Sequence, residues 1–336
     1  MKVARVAVAL GSAEASQGAR VMERHMAGDI NADRRRDLVG YGRQRPKVTW
    51  PNKAELAVSF VVNLEEGAEA SLEDGQLTND KLGEFVSSLP DGMRDLAMEQ
   101  FHEYGLRAGI WRILDLFDRC NSKATFYMCG RAVERSPEIA AEIVSRGHEP
   151  ASHGYRWYCH SYFKDYATEK EHILKANEII ERVTGERPVG FYSMWAPSLN
   201  TRRILKELGF IYDSNEYSDD LPYYDFSTPG GPMLIIPYAL DSNDFKFVAN
   251  DPWGAPSAYL EYLERAVEVL LEEGRRGESK MLNIGLHIRI IGRPGRFWAL
   301  QKFMEYLKQL GDRVWIARRI DIARHWLAHH PPSAPL

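Results

Sequence analysis

Two histidines, His153 and His160, lie in the segment HGYRWYCH, directly after a short run that predicts a β-strand. A pair of histidines four residues apart on a helix is a common zinc-binding arrangement. Here Trp157 occupies the fourth position after His153, and the next histidine comes seven positions after it. Seven residues of helix rise about 10.5 Å, which is too far for two imidazoles to bind one ion. The spacing therefore predicts a site with an incomplete set of metal ligands.

Acidic and basic side chains also follow two other apolar runs. Glu65 and Glu66 directly follow ELAVSFVVNL, and His287 ends KMLNIGLH. Carboxylates and imidazoles transfer protons in hydrolytic reactions, so we take Glu65, His153 and His287 as the candidate catalytic residues. The candidates for substrate binding are Asn63, Glu66, Tyr155, Trp157, Trp195 and Arg289.

The elements that carry these residues alternate between strand-like and helix-like patterns. About seven or eight β/α repeats predict an α/β protein with parallel strands, and their number favours a distorted barrel over an open sheet. In such barrels the working residues lie at the carboxyl ends of the strands, where these candidates fall. The predicted strands are 55–64, 123–130, 148–152, 187–193, 210–214, 232–238, 280–288 and 312–317. The predicted helices are 107–121, 136–147, 165–185, 200–209, 257–274, 295–311 and 319–330.

Length and composition narrow the class of protein. The chain has 336 residues, and we expect a flexible extension over 1–36 followed by a single barrel domain over 37–336. A net charge of −4 with interleaved signs gives no reason to expect a nucleic-acid or membrane partner. Three scattered cysteines suit a reducing compartment, and the first apolar run, VAVAL, is too short for a signal-peptide core. We therefore expect a cytoplasmic protein.

Several segments together resemble the polysaccharide-deacetylase superfamily, and within it the branch of allantoinases and cyclic-imide hydrolases. The resemblance spans residues 37 to 330 and implies a distorted (β/α) barrel of the NodB-like type. It also implies hydrolysis of carbon–nitrogen bonds other than peptide bonds. The segments are VGYG (39–42), VSFVVNLEEGAE (58–69), EYGLRAGIWRIL (103–114), GHEPASHGYRW (147–157), EYSDDLPYYD (216–225), IPYALDSND (236–244), GLHIRIIGRP (285–294) and IARRIDIARHW (316–326).

The chain departs from the metal-dependent members of that superfamily. These carry two aspartates after the first strand, a catalytic base and a metal ligand, then a pair of histidines and a late histidine that acts as acid. By resemblance, Asn63 stands at the base and Glu65 near the metal aspartate, while Trp157 replaces the second histidine of the pair. We therefore predict no required cofactor. A weakly bound divalent metal such as zinc, held by Glu65 and His153, stays open, with Glu66 or the turn residue Asp244 as a further ligand.

The resemblance and these departures together suggest a reaction. We expect hydrolysis of a small cyclic imide or ureide, with Glu65 oriented by His153 as the base, or with these two roles reversed. His287 would protonate the departing nitrogen. Arg289 and Asn63 would hold ring carbonyl groups, and the aromatic rings of Tyr155, Trp157 and Trp195 would clamp a flat substrate.

Substrate and assembly are less closely defined by the sequence. Met194 and Trp195 make one wall apolar, which favours a less polar cyclic imide over allantoin. The alternatives are a metal-dependent N-deacetylase of a sugar or other N-acyl compound, and a non-catalytic binding protein on the same fold. By resemblance we expect a homo-oligomer, a tetramer or a dimer.

Overall fold

The computed structural model describes residues 36–81, 87–248 and 254–332. The chain divides into two compact units, Met1–Gly42 and Arg43–Leu336. The predicted extension over 1–36 lies, except for Arg36, outside the described residues, so this division into extension and barrel stays a prediction. Among the described helices, none is long and apolar enough to cross a membrane.

The nine strands of the described chain form one curled sheet in the second unit, with helices between most successive strands. The order in the sheet is β6-β7-β5-β4-β3-β2-β1-β8, and every pairing is parallel except that of β6 with β7. This half-barrel confirms the predicted α/β fold of the NodB-like type. The strands are β1 (Leu56–Leu64), β2 (Thr125–Met128), β3 (Glu149–Ser152), β4 (Gly190–Phe191), β5 (Tyr212–Asp213), β6 (Tyr223–Asp225), β7 (Met233–Ile235), β8 (Lys280–His287) and β9 (Val314–Ile316).

Strand β1 pairs with three other strands of the described sheet. All nine of its residues are buried, as expected for a strand of a parallel sheet that is covered on both faces. It pairs with β8 along one side, while on the other side β9 pairs with its first residues and β2 with its last. The register sets Asn63 opposite His287, so Glu65 and His287 leave the sheet at neighbouring points.

The helices follow the predicted pattern where strong capping residues occur. Asp165 caps α5 by accepting a hydrogen bond from the amide of Thr168, and Gly185 ends that helix with a left-handed φ of 77°. The helix capped by Asp95, the helix after β2, and the antiparallel strand β6 were not predicted. The helices are α1 (Leu96–Tyr104), α2 (Ile110–Arg119), α3 (Gly130–Arg135), α4 (Pro137–Ser145), α5 (Tyr166–Thr184), α6 (Thr201–Glu207), α7 (Pro256–Arg275), α8 (Ile288–Ile291), α9 (Pro294–Leu310) and α10 (Arg319–His329). A π-helical segment, Gly105–Gly109, joins α1 to α2.

A fully buried arginine, Arg319, ties the start of α10 to the sheet. Its guanidinium donates to the side chains of Ser214 and Asn283 and to the carbonyl oxygens of Ile236 and Pro237. These groups follow or belong to β5, β7 and β8. One side chain therefore satisfies buried acceptors from three strands.

We expect Arg319→Met to lower the free energy of unfolding by about 3 kcal/mol, because an unsatisfied buried polar group costs about 1–3 kcal/mol and several would be left. Urea unfolding measures the change. Arg318→Met is the matched control, since Arg318 lies on the same turn but is partly exposed beside Asp321. A loss no larger than that of the control would contradict the structural role of Arg319.

Candidate functional site

A cavity of about 200 Å³ opens beside the carboxyl ends of β1, β3 and β8. The three candidate catalytic residues, Glu65, His153 and His287, all line it, as do Trp157 and Trp195. The barrel therefore brings these five predicted residues together from four separate stretches of sequence. The remaining lining residues are Tyr192, Met194, Tyr238, Leu240, Asn243, Phe245 and Lys246.

Glu65 is a buried carboxylate in contact with one guanidinium and two imidazoles. Its Oε2 accepts a hydrogen bond of 2.7 Å from Nη1 of Arg289, and its Oε1 lies 3.2 Å from Nε2 of His153 and 3.5 Å from Nε2 of His287. Burial alone would raise the pKa of the Glu65 carboxyl, but His287 and Arg289 outweigh burial and bring it well below its usual range. Glu65 is therefore ionised throughout the neutral range and is a weak proton acceptor.

His287 is held by a second buried carboxylate, Asp244. The Nδ1 of His287 lies 2.7 Å from Oδ1 of Asp244, whose Oδ2 accepts the backbone N–H groups of His287 and Ile291. Burial lowers the pKa of His287, but Glu65 and Asp244 outweigh it and raise that pKa to about 9. The imidazole is therefore protonated at neutral pH and can donate a proton into the cavity.

His153 has a different environment on the opposite side of Glu65. Its Nδ1 lies 2.5 Å from the carbonyl oxygen of Tyr192, which can only accept a hydrogen bond. In the neutral imidazole the proton is therefore on Nδ1, and Nε2, 3.2 Å from Oε1 of Glu65, is the unprotonated nitrogen. The ring stacks on that of Tyr192, which in turn stacks on Tyr238 with 4.3 Å between centroids.

The structure places four of the predicted substrate-binding residues outside the cavity lining. Asn63 is buried and donates to the carbonyl of Leu286, and the hydroxyl of Tyr155 donates to Glu134. Glu66 and Arg289 are buried behind Glu65, and the guanidinium of Arg289 lies over the ring of Trp157, 5.1 Å from its centroid. The side chains of these four residues bind other protein groups, so sequence position alone did not indicate where they point.

The mouth of the cavity is formed by a tight turn at Trp195. The amide of Ala196 donates to the carbonyl of Met194 at 2.7 Å, and Trp195 between them has a φ of 56°, uncommon for a bulky residue. The hydroxyl of Tyr217 donates to the carbonyl of Trp195 and accepts from the hydroxyl of Tyr192. Trp195 thus lines the cavity while half of its surface is exposed.

The donor set does not fit a tightly bound metal. The described residues contain no group of three histidine, cysteine or acidic side chains arranged to hold an ion, and catalytic zinc takes about three protein ligands. His160 is bound to Glu169 through Nδ1 and does not line the cavity. The Arg289 guanidinium already occupies one oxygen of Glu65. Glu65 and His153 remain as two donors, compatible at most with a weakly held divalent ion.

Comparison with known proteins agrees with this fold. The polysaccharide deacetylase family model matches residues 98–212. A putative polysaccharide deacetylase of Schizosaccharomyces pombe is 39% identical over 319 residues, 89% of this chain and 99% of the relative. The chain belongs to the polysaccharide deacetylase family. As a member, it is a hydrolase of the class that cleaves carbon–nitrogen bonds other than peptide bonds.

Two solved structures resemble this family member over nearly their whole length. The crystal structure of PuuE allantoinase is 46% identical, with a TM-score of 0.85 over 90% of this chain and 100% of that one. A probable polysaccharide deacetylase from Pseudomonas aeruginosa PAO1 is also 46% identical, with a TM-score of 0.84 over 89% and 100% of the two chains. One neighbour is thus named for a small ureide and the other for a polymer.

Sequence reasoning missed the role of Asp244 and the aromatic pair Tyr192 and Tyr238. Asp244 lies in a segment, LDSND, that was interpreted as a turn or a source of a metal ligand. The segment is indeed a turn into a short 3₁₀ helix, but it directs Asp244 at His287. The sequence signal that could have indicated this role is the position of Asp244 after a predicted strand. The same signal indicated Glu65.

We expect kcat/KM to fall as the pH rises through about 9, because His287 must be protonated to act as an acid. Asp244→Asn removes one of the carboxylates that raise this pKa. The alkaline limb of the pH profile of kcat/KM should therefore move at least about one pH unit lower, since a nearby opposite charge shifts a pKa by about 1–3 units. Asp241→Asn is the control, because Asp241 is exposed and bonded to Tyr262. An unmoved limb in Asp244→Asn would contradict the pairing.

Proposed function

We propose that this protein hydrolyses one carbon–nitrogen bond of a small cyclic ureide or imide and so opens the ring. The observation that carries the proposal is the convergence of Glu65, His153 and His287 in one small cavity with an aromatic wall. A carboxylate fixed in its ionised form stands between two imidazoles with different hydrogen-bond partners. Such an arrangement suits a reaction that needs both a proton acceptor and a proton donor.

The size and walls of the cavity support a small flat substrate. About 200 Å³ is less than the 300–1,000 Å³ typical of drug-sized ligands, so it suits one ring better than a length of polysaccharide. Trp157 and Trp195 offer aromatic surface on which a planar ring can stack. The likeness to PuuE allantoinase over 90% of the chain also supports a ureide or a related ring.

The polar groups of the cavity suit a ring that carries carbonyl and N–H groups. Asn243 and Lys246 supply donors on one side, while Met194, Leu240 and Phe245 make the rest of the wall apolar. A cyclic imide or ureide combines these properties, since its ring has apolar faces and polar edges. The apolar part of this wall is why the less polar imides remain in the substrate class beside allantoin.

The first step is the activation of water. Of the two assignments that the sequence leaves open, we assign the base to His153, because it lines the cavity with an unprotonated Nε2 when neutral, and Glu65 is a weak proton acceptor. As water attacks a ring carbonyl carbon, it gives a proton to Nε2 of His153. The ionised Glu65, 3.2 Å away, stabilises the imidazolium that forms.

The second step is the departure of the ring nitrogen. The tetrahedral intermediate collapses, the carbon–nitrogen bond breaks, and His287 donates its Nε2 proton to the leaving nitrogen. The new carboxylic acid releases its proton to solvent, and proton exchange with solvent restores neutral His153 and protonated His287. Asp244 keeps His287 oriented for this transfer through its hydrogen bond to Nδ1.

The direct test is a panel of single-ring substrates, including allantoin, hydantoins, dihydropyrimidines and five- and six-membered cyclic imides, with N-acetylated oligosaccharides for comparison. We expect ring opening of at least one small ring. His287→Gln should lower kcat about 10²–10⁴-fold, the usual contribution of a general acid. His329→Ala, an exposed histidine on α10, is the control and should not change kcat.

The panel also distinguishes the alternative. Acetate release from an N-acetylated sugar without ring opening would favour a deacetylase, as the names of the Schizosaccharomyces pombe and Pseudomonas aeruginosa relatives suggest. Ring opening that is unaffected by His287→Gln in a folded protein would remove His287 from the mechanism.

A further inference from the structure

The buried carboxylate of Glu66 joins the ends of strands β1 and β8. Its Oε2 accepts the backbone N–H of Glu65 at 3.1 Å, and its Oε1 accepts the backbone N–H of Arg289 at 3.2 Å. Glu65 follows β1, and Arg289 lies on the short helix α8 that follows β8. The same Oε1 is 3.5 Å from Nη1 of Arg289, the atom that binds Glu65.

Space for the Glu66 carboxylate comes from a glycine in the π-helical segment. A methyl group at Gly105 would lie 2.6 Å from Oε1 of Glu66 and 2.9 Å from its carboxyl carbon, closer than side-chain atoms tolerate. The backbone of Gly105 has an ordinary helical φ of −53°, so a side chain is excluded here by contact and not by conformation. Glu66 thus rests directly on the backbone of this segment.

A second glycine of the same segment sets its distance from α8. A methyl group at Gly109 would lie 2.4 Å from the carbonyl oxygen of Ile288, the residue before Arg289. The segment therefore packs backbone to backbone against the turn that carries Arg289. π-Helical turns inside helices occur often at functional sites, and this one places EYGLRAG, a segment of the family resemblance, against Glu66 and α8.

We propose that Glu66 is a positioning residue, seated on Gly105, that holds the backbones of Glu65 and Arg289 so that the guanidinium meets the Glu65 carboxylate. Glu66 does not line the cavity, so it acts through these two residues and does not touch the substrate. The test of this role by ring-opening activity rests on the proposed function. The geometry of Glu65 and Arg289 can also be followed through the pKa of His287. That measurement needs no substrate.

The experiment uses Gly105→Ala, Glu66→Asp and the double variant of the full chain. Gly105→Ala should displace the Glu66 carboxylate and lower kcat about 100-fold with KM within about 2-fold, since a displacement of ~1 Å can cost that much. Glu66→Asp alone should also lower kcat. In the double variant the shorter side chain withdraws from the added methyl, so kcat should be at least as high as in Gly105→Ala.

An NMR titration of the His287 imidazole gives a readout without substrate. In Gly105→Ala the guanidinium is no longer aligned with Glu65, so the carboxylate attracts the His287 proton more strongly and the measured pKa should rise. Gly295→Ala is the matched control, because a methyl group there meets nothing within 4 Å. It should leave both kcat and the titration unchanged.

Two results would overturn the positioning role. One is a double variant whose kcat loss is the product of the two single losses. The other is an unchanged His287 titration in a folded Gly105→Ala protein. If the wild-type protein opens no ring at all, the proposed function fails, while the titration still decides the role of Glu66.

Discussion

The site depends on the burial of one negative charge. Glu65 is removed from water at the end of β1, and an unpaired carboxylate there would be very unfavourable. Arg289 neutralises one oxygen, and His153 and His287 face the other. Because three separate chain segments supply these groups, the charge of Glu65 fixes how the ends of β1, β3 and β8 meet. The same charge underlies the acid–base roles that we propose for the two histidines.

By resemblance Glu65 stands near the metal-binding aspartate of the metal-dependent proteins, and here its carboxylate is paired with the guanidinium of Arg289. A guanidinium keeps its charge at every working pH and binds a carboxylate with fixed geometry. Trp157, which stands where the second histidine of a metal pair would be, lies under that guanidinium instead. The cavity is then lined by imidazoles and aromatic faces. This lining suits the proton transfer to a small flat ring that we propose.

The sequence predicted the fold and the convergence of Glu65, His153 and His287, because each directly follows a strand and parallel strands end at one rim. It did not predict where Asn63, Glu66 and Arg289 point, since these depend on close contacts between distant segments, such as that of Gly105 with Glu66. The catalytic roles themselves stay predictions. Asp244 was missed because a turn residue and a partner for a distant histidine have the same local sequence signature.

The measurement that tests this account most directly is the rate of ring opening by protein stripped of metal with a chelator, with the remaining metal content determined on the same sample. If Arg289 neutralises Glu65 and the two histidines move the protons, the stripped protein should keep its kcat, and added zinc should not raise it. Loss of activity on stripping, restored by stoichiometric zinc or another divalent ion, would contradict the account. It would mean that the carboxylate binds a metal during the reaction.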